Sequence, residues 1–187
     1  MNDYSGENRR SGQDRRINEI DSYTDRRISA EQRDLLRHQQ VFFSKLKKNS
    51  IFRSLSDDQF LEILSIASKR TYAKGEVLYR EGNEADDMYI LLEGVLQVTV
   101  GGKEVNLITP IGFAGELETL SGEPRLATVT AKGDCVLMRL NKTELSVIFE
   151  RNADLYKRFI KGVIIDVSVK MRTLNAALAK MKEMRRG

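Results

Sequence analysis

Residues Gly115 to Val129 read Gly-Glu-Leu-Glu-Thr-Leu-Ser-Gly-Glu-Pro-Arg-Leu-Ala-Thr-Val, and their chemistry is that of an anion site. A glycine lets the backbone approach a ligand closely, and peptide N–H groups that open a helical turn just after it point at negative charge. Arg125 supplies a guanidinium fork that matches phosphate oxygens. Glu116 can accept hydrogen bonds from ligand hydroxyls, so the pair suits a small sugar phosphate. A purely structural alternative uses the same residues: Glu116 and Arg125 pair across the loop and hold two strand ends together. Other chemistries have little to work with. His38 is the sole histidine and Cys135 the sole cysteine, which argues against a histidine-based metal site, a cupin-type enzyme and an intrachain disulfide.

The elements that must position this stretch follow from periodicity. Ser56-Asp57-Asp58-Gln59 is a capping-box pattern ahead of Phe60, Leu61, Ile63, Leu64, Ile66 and Ala67 at helical spacing, which predicts a helix from Asp57 to Ser68, its start anchored by Ile51, Phe52 and Leu55. From Thr71 onward, short runs rich in Val, Ile, Leu and Tyr alternate with glycine-bearing turns roughly every 8 to 12 residues, the pattern of an antiparallel barrel or sandwich. Strands are expected near 77–80, 88–92, 95–100, 103–108, 125–131 and 135–140, with Gly101-Gly102 as the sharpest hairpin turn. Asn141 begins a short helix to about Glu150, and Asn152 caps a longer one. In that long helix Val167, Met171, Leu174, Leu178 and Met181 form an a/d seam. A continuous helix from Ala153 to Arg185 is about 50 Å long, longer than a compact domain needs, so part of the seam asks for a partner, and a homodimer is the expectation.

The chain of 187 residues has a formal net charge of +4. From Leu155 onward nine bases stand against two acids, so the remainder is net acidic and the basic face belongs to the terminal helix. Residues 1–28 are polar, carry Asp-Arg-Arg-Ile twice (Asp14 to Ile17, Asp25 to Ile28) and balance arginine with acid, which predicts a disordered tail and argues against a nucleic-acid arm. Residues 29–50 are expected to form an N-terminal helix, 51–151 the β-rich domain, and 152–187 the long dimerisation helix. No apolar run is long enough to span a bilayer and no signal-peptide pattern opens the chain, so the expected location is cytoplasmic, without membrane insertion.

The order of these pieces resembles the cyclic nucleotide-binding domain family, shared by regulatory subunits of cAMP-dependent protein kinase and bacterial catabolite activator proteins, from about Ile51 to Ala179. Gly75-Glu76-Val77-Leu78, the run Glu81 to Leu91 and Glu93-Gly94-Val95-Leu96-Gln97-Val98 match its β-roll signature in order and spacing. Gly115-Glu116-Leu117 with Pro124-Arg125-Leu126-Ala127-Thr128-Val129 looks like its phosphate-binding cassette. The resemblance implies an α+β fold: an eight-stranded antiparallel β-roll (double-stranded jelly-roll) flanked by N-terminal helices and a long C-terminal helix. It implies that Glu116 takes the ribose 2′-hydroxyl and Arg125 the cyclic phosphate, that Gly115 and Leu117 shape the pocket, and that Leu126 and Ala127 complete the cassette. A residue of the long helix would cap the base; Arg172, Thr173 and Asn175 stand at about the right distance, with Thr173 the choice.

Two positions depart from the family pattern. Glu118 stands where a small residue is usual. Facing the pocket at about 5 Å from a phosphate charge, its carboxylate would cost about 3 kcal/mol at an effective dielectric near 20; pointing to solvent, it would leave its N–H free. Leu126 carries no hydroxyl where many relatives carry serine or threonine, which leans towards cAMP over cGMP. The functional expectation is a non-enzymatic cyclic nucleotide-binding regulatory module, with no cofactor and no metal, signalling through its C-terminal helix or an unknown downstream protein. Because the chain stops at Gly187 with no helix-turn-helix segment, sequence-specific DNA binding is not expected. The alternative is a degenerate member of the fold acting as a ligand-independent dimeric scaffold or adaptor.

Overall fold

The computed structural model describes residues 41–184. The chain divides into units 1–44 and 45–187. Of the first unit, only residues 41–44, all helical, are described. The predicted tail, His38 and the expected helix start at Ser29 lie outside the described residues.

In the second unit the buried Ile51, Phe52 and Leu55 lead into α1 (Asp57–Ser65). Its capping box forms in both directions: Ser56 Oγ accepts from Gln59 N at 3.2 Å, and Gln59 Oε1 accepts from Ser56 N at 3.0 Å. The chain then lays down β1 (Ser68–Tyr72), β2 (Val77–Tyr79), β3 (Asp87–Glu93), β4 (Leu96–Val100), β5 (Lys103–Ile108) and β6 (Phe113–Ala114). After α2 (Glu116–Ser121) come β7 (Thr128–Ala131), β8 (Cys135–Asn141), α3 (Lys142–Arg151) and α4 (Ala153–Met184). The strands make two antiparallel sheets, ordered β1-β8-β3-β6 and β2-β7-β4-β5. This is the eight-stranded antiparallel β-roll expected above, with helices and a long C-terminal helix. At the β4–β5 hairpin Val100 pairs with Lys103, and Gly101 and Gly102 both take positive φ, as a two-residue turn of that twist requires.

Strand alternation sorts side chains onto two faces. In β3, Tyr89 and Leu91 turn into the roll with Leu96, Ala114, Val129, Ala131, Cys135 and Leu137, while the buried Met88 and Ile90 occupy the other face. A second core of aromatic rings fixes the helices. Phe52 lies 5.2 Å from Phe60, 5.4 Å from Phe113 and 6.2 Å from Phe159, and Phe159 lies 5.3 Å from Phe149. Apolar burial along α4 covers Leu155, Phe159 and Val163 and stops there.

Three boundaries differ from the sequence reading. α1 ends at Ser65, and β1 begins at Ser68, where a helix end was expected. β6 adds a strand of two residues. β7 begins at Thr128 and not at Arg125, because Arg125 N is turned to Asn83 O at 2.9 Å and Leu126 N to the Glu118 carboxylate at 3.2 Å. Residues Arg125 to Ala127 therefore belong to the cassette.

Candidate functional site

Gly115 precedes α2 in the left-handed region, with φ 77°. A Cβ at this position would sit 2.1 Å from Arg125 Nη1, so glycine is required both by the backbone and by the guanidinium packed against it. Arg125 Nη1 donates to Gly115 O at 3.0 Å, and Nη2 donates to Asp87 O. The guanidinium lies over the Tyr79 ring, with Cζ 4.1 Å from its centroid, a cation–π arrangement. Thr119 Oγ1 lies 2.7 Å from Asp87 O. The Asp87 carboxylate in turn pairs with Arg139 at 2.7 Å and accepts from Asn141 Nδ2 at 3.0 Å. The start of β3, the first turns of α2 and the end of β8 thus converge on one cation.

That cation is unusual. Arg125 is 4% exposed, its Nε has no hydrogen-bond partner, and it makes no ion pair among the described residues. Neutral carbonyls and an aromatic face offset part of the desolvation of its charge, and no described carboxylate lies within ion-pair distance of it. The loop-bridging Glu116–Arg125 pair does not form.

Glu116, 5% exposed, pairs instead with Lys170 of α4, Nζ to Oε1 at 2.5 Å. Lys170 also lies 2.8 Å from Asp166 of its own helix, and Asp166 Oδ1 accepts from Ser50 Oγ at 2.8 Å. Burial opposes the Lys170 charge, but Glu116 and Asp166 together outweigh it and hold the ammonium above the ordinary lysine pKa. Burial also pushes the Tyr79 phenol well above its ordinary value, with Arg125 pulling the other way and Glu118 and Glu116 adding to the rise. The ring under Arg125 is therefore neutral at physiological pH.

Glu118 takes neither sequence alternative cleanly. It does not point to solvent: the residue is buried at 9% exposure, and its Oε1 accepts from Leu126 N at 3.2 Å. The Leu126 N–H precedes the β7 ladder and needs an acceptor there. Leu117 and Leu126 are exposed at the rim, and Ala127 is half-buried. Thr173 is exposed and donates to Val169 O within α4 at 3.1 Å; the α4 side chain that reaches the cassette is Lys170. Sequence reading had not singled out Tyr79, Asp87, Thr119 or Lys170. Only Asp166 and Lys170, spaced as an i,i+4 pair, left a visible signal.

A groove of about 330 Å³ lies beside α2 and α3, lined among others by Leu120, Lys142, Leu145, Phe149 and Tyr156, and includes neither Glu116 nor Arg125. Among the described residues no group of three or more His, Cys, Asp or Glu side chains is placed to hold a metal ion, and no helix is long and apolar enough to cross a membrane.

A family model described as the cyclic nucleotide-binding domain matches residues 69–152. The type II regulatory subunit of cAMP-dependent protein kinase from Drosophila melanogaster is 30% identical over 122 residues, covering 63% of this chain and 32% of that protein. The chain spans about a third of the length of such regulatory subunits. Among solved structures, the N-terminal domain of a transcriptional regulator from Streptomyces coelicolor A3(2) superposes with a TM-score of 0.58 at 25% identity, over 71% of this chain and 94% of that one. The regulatory domain of Toxoplasma gondii PKA, crystallised with cAMP, gives 0.54 at 26% identity, over 59% and 44%.

Proposed function

We propose, from the premise that the chain belongs to the cyclic nucleotide-binding domain family through residues 69–152, that it is a non-enzymatic regulatory module whose ligand is a cyclic nucleotide, cAMP in preference to cGMP. The observation that carries this reading is the buried Arg125 guanidinium without a counter-ion. A cyclic phosphate brings the missing negative charge to Arg125, and Glu116, the first residue of α2, is the acceptor for the ribose 2′-hydroxyl. Gly115 and Leu117 shape the pocket, Leu126 and Ala127 complete it, and Leu126 offers no hydroxyl to a guanine. The relatives support the ligand class: the Toxoplasma gondii domain was crystallised with cAMP. Thr173, exposed on α4 three residues beyond Lys170, is the candidate to cap the base.

The signal leaves through α4. Its seam residues Met171, Leu174, Leu178 and Met181 are all exposed, and a second copy of the chain is the partner that buries them. We assign the module to the cytoplasm, with its output passing to a downstream protein.

One observation favours a second reading. The Glu118 carboxylate already sits on the Leu126 N–H, inside the cassette, where it repels an incoming phosphate. The protein would then be a ligand-independent dimeric scaffold. Calorimetric titration of the wild type and of Glu118→Ala with cAMP and cGMP separates the two. The regulatory reading expects cAMP to bind the wild type and to bind the alanine variant more tightly, by about tenfold or more if the side chain contributes even half of a 3 kcal/mol repulsion. Binding only by the variant establishes the scaffold, and no binding by either protein defeats the nucleotide assignment.

A further inference from the structure

Past Val163 no described side chain of α4 is fully buried, Ile165 and Val167 being half-buried, yet the helix continues to Met184. Its middle is also tied to the rest of the unit by a polar chain: Ser50 Oγ to Asp166 Oδ1, Asp166 Oδ2 to Lys170 Nζ, and Lys170 Nζ to Glu116 Oε1. Three separate parts of the sequence meet in it: the lead-in to α1, the long helix and the cassette. The last link ends on the carboxylate assigned above to the ribose hydroxyl. We infer that Lys170 is a positioning residue of this site: it fastens α4 to the cassette through Glu116, and a hydroxyl-bearing ligand must displace it. This rests on the cyclic nucleotide reading of the pocket and adds how occupancy of the pocket reaches the helix.

Two features carry the argument. The Glu116 side chain is 6% exposed and its Oε1 is held by Lys170, so a hydroxyl reaching for that oxygen meets the ammonium. Lys170 holds two carboxylates, Glu116 and Asp166, and the second belongs to its own helix. When a ligand takes Glu116, the ammonium keeps Asp166 and is not left unpaired. The exchange therefore costs one of two ion pairs, and the pair that is lost is the one between elements. Occupancy of the ribose end and attachment of α4 at residue 170 are then alternatives. Because Met171 follows immediately and is the first exposed residue of the seam, the point of release is also where the dimer face begins.

The test uses the full chain, with hydrogen exchange and calorimetry on the wild type, Lys170→Met and Asp166→Asn. Methionine keeps the aliphatic stem and removes the charge. In the absence of ligand, amides of α4 between Asp166 and Leu174 should exchange about three- to tenfold faster in Lys170→Met, with the amides of β3 and β8 unchanged. Titrated with cAMP, Lys170→Met should bind several-fold more tightly than the wild type. Asp166→Asn, which leaves Lys170 no alternative partner, should bind more weakly. Unchanged α4 exchange in Lys170→Met overturns the fastening role. Faster exchange with weaker cAMP binding overturns the competition and makes Lys170 an aid to the ligand. If no protein, Glu118→Ala included, takes up cAMP, the nucleotide reading fails, and the exchange comparison alone decides whether Lys170 fastens α4.

Discussion

Gly115 is held in place by two independent demands. Its φ of 77° is open to glycine and costs a side-chain-bearing residue about 1–2 kcal/mol, and the space for a Cβ is filled by the Arg125 guanidinium at 2.1 Å. Gly115→Ala is accordingly expected to lose at least about 2 kcal/mol, lowering the thermal midpoint by roughly 4–8 °C for a chain of this size. Calorimetry should also show cAMP affinity falling, because the displaced guanidinium leaves its carbonyl cradle. A variant with an unchanged midpoint would mean that Arg125 has room to withdraw. That Gly115 and Arg125 lie together was legible in the sequence through the resemblance to the family cassette, since on residue types alone a structural pairing fitted as well. Their partners were not. Lys170 stands 54 residues from Glu116, and nothing local says that the long helix passes the cassette there. Glu118 was recognisable as a departure from the family pattern, yet its direction depended on an unpaired N–H at Leu126 that only the late start of β7 creates.

Among the elements, those with strong periodicity or explicit caps matched expectation: α1 with its box at Ser56 and Gln59, the Gly101-Gly102 hairpin, and α3 behind Asn141, whose Oδ1 accepts from Thr143 N at 3.0 Å. Elements that escaped notice lack such marks. β1 reads Ser-Lys-Arg-Thr-Tyr, an edge strand whose three central residues are exposed, so no alternation marks it. β6 has two residues, fewer than one period needs to declare itself. Gly162 is a third feature hidden at this scale, because glycine inside a helix normally weakens it by about 1 kcal/mol relative to alanine. Here a Cβ would come within 2.5 Å of both Ile51 Cα and Ile51 O and 2.7 Å of Ser50 O. The glycine lets α4 lie directly on the backbone of the lead-in segment. Gly162→Ala should therefore destabilise by about 1–3 kcal/mol in spite of the better helix former, seen as a lower denaturant midpoint at unchanged slope. A stabilised variant would show that the helix backs away freely and that close approach at Ser50 and Ile51 is incidental.

At the scale of the whole molecule the distribution of apolar surface along α4 is the feature left to account for. Leu155, Phe159 and Val163 are buried, whereas Ile164, Met171, Leu174, Leu178 and Met181 are each 47% or more exposed. Val167, Met171, Leu174, Leu178 and Met181 follow one another in steps of four and three, a heptad seam about 21 Å long on a helix that rises 1.5 Å per residue. A lone chain leaves that seam in water. In the homodimer proposed above, a second copy packing seam to seam would bury it. The same helix is rich in base, seven bases against two acids from Leu155 to Met184, so two copies would repel, and added salt should tighten the pair until screening is complete. Truncating two seam leucines removes the central layers: Leu174→Ala with Leu178→Ala should weaken the dimer by at least about 4 kcal/mol, a thousandfold in dissociation constant. Light scattering on a sizing column at micromolar protein should show a dimer for the wild type and a monomer for the double variant. The roll buries its core without the seam, so both should give the same β-sheet circular dichroism. A wild type that elutes as a monomer at every salt concentration would assign the seam to a different protein and move the output of the module from self-pairing to recruitment.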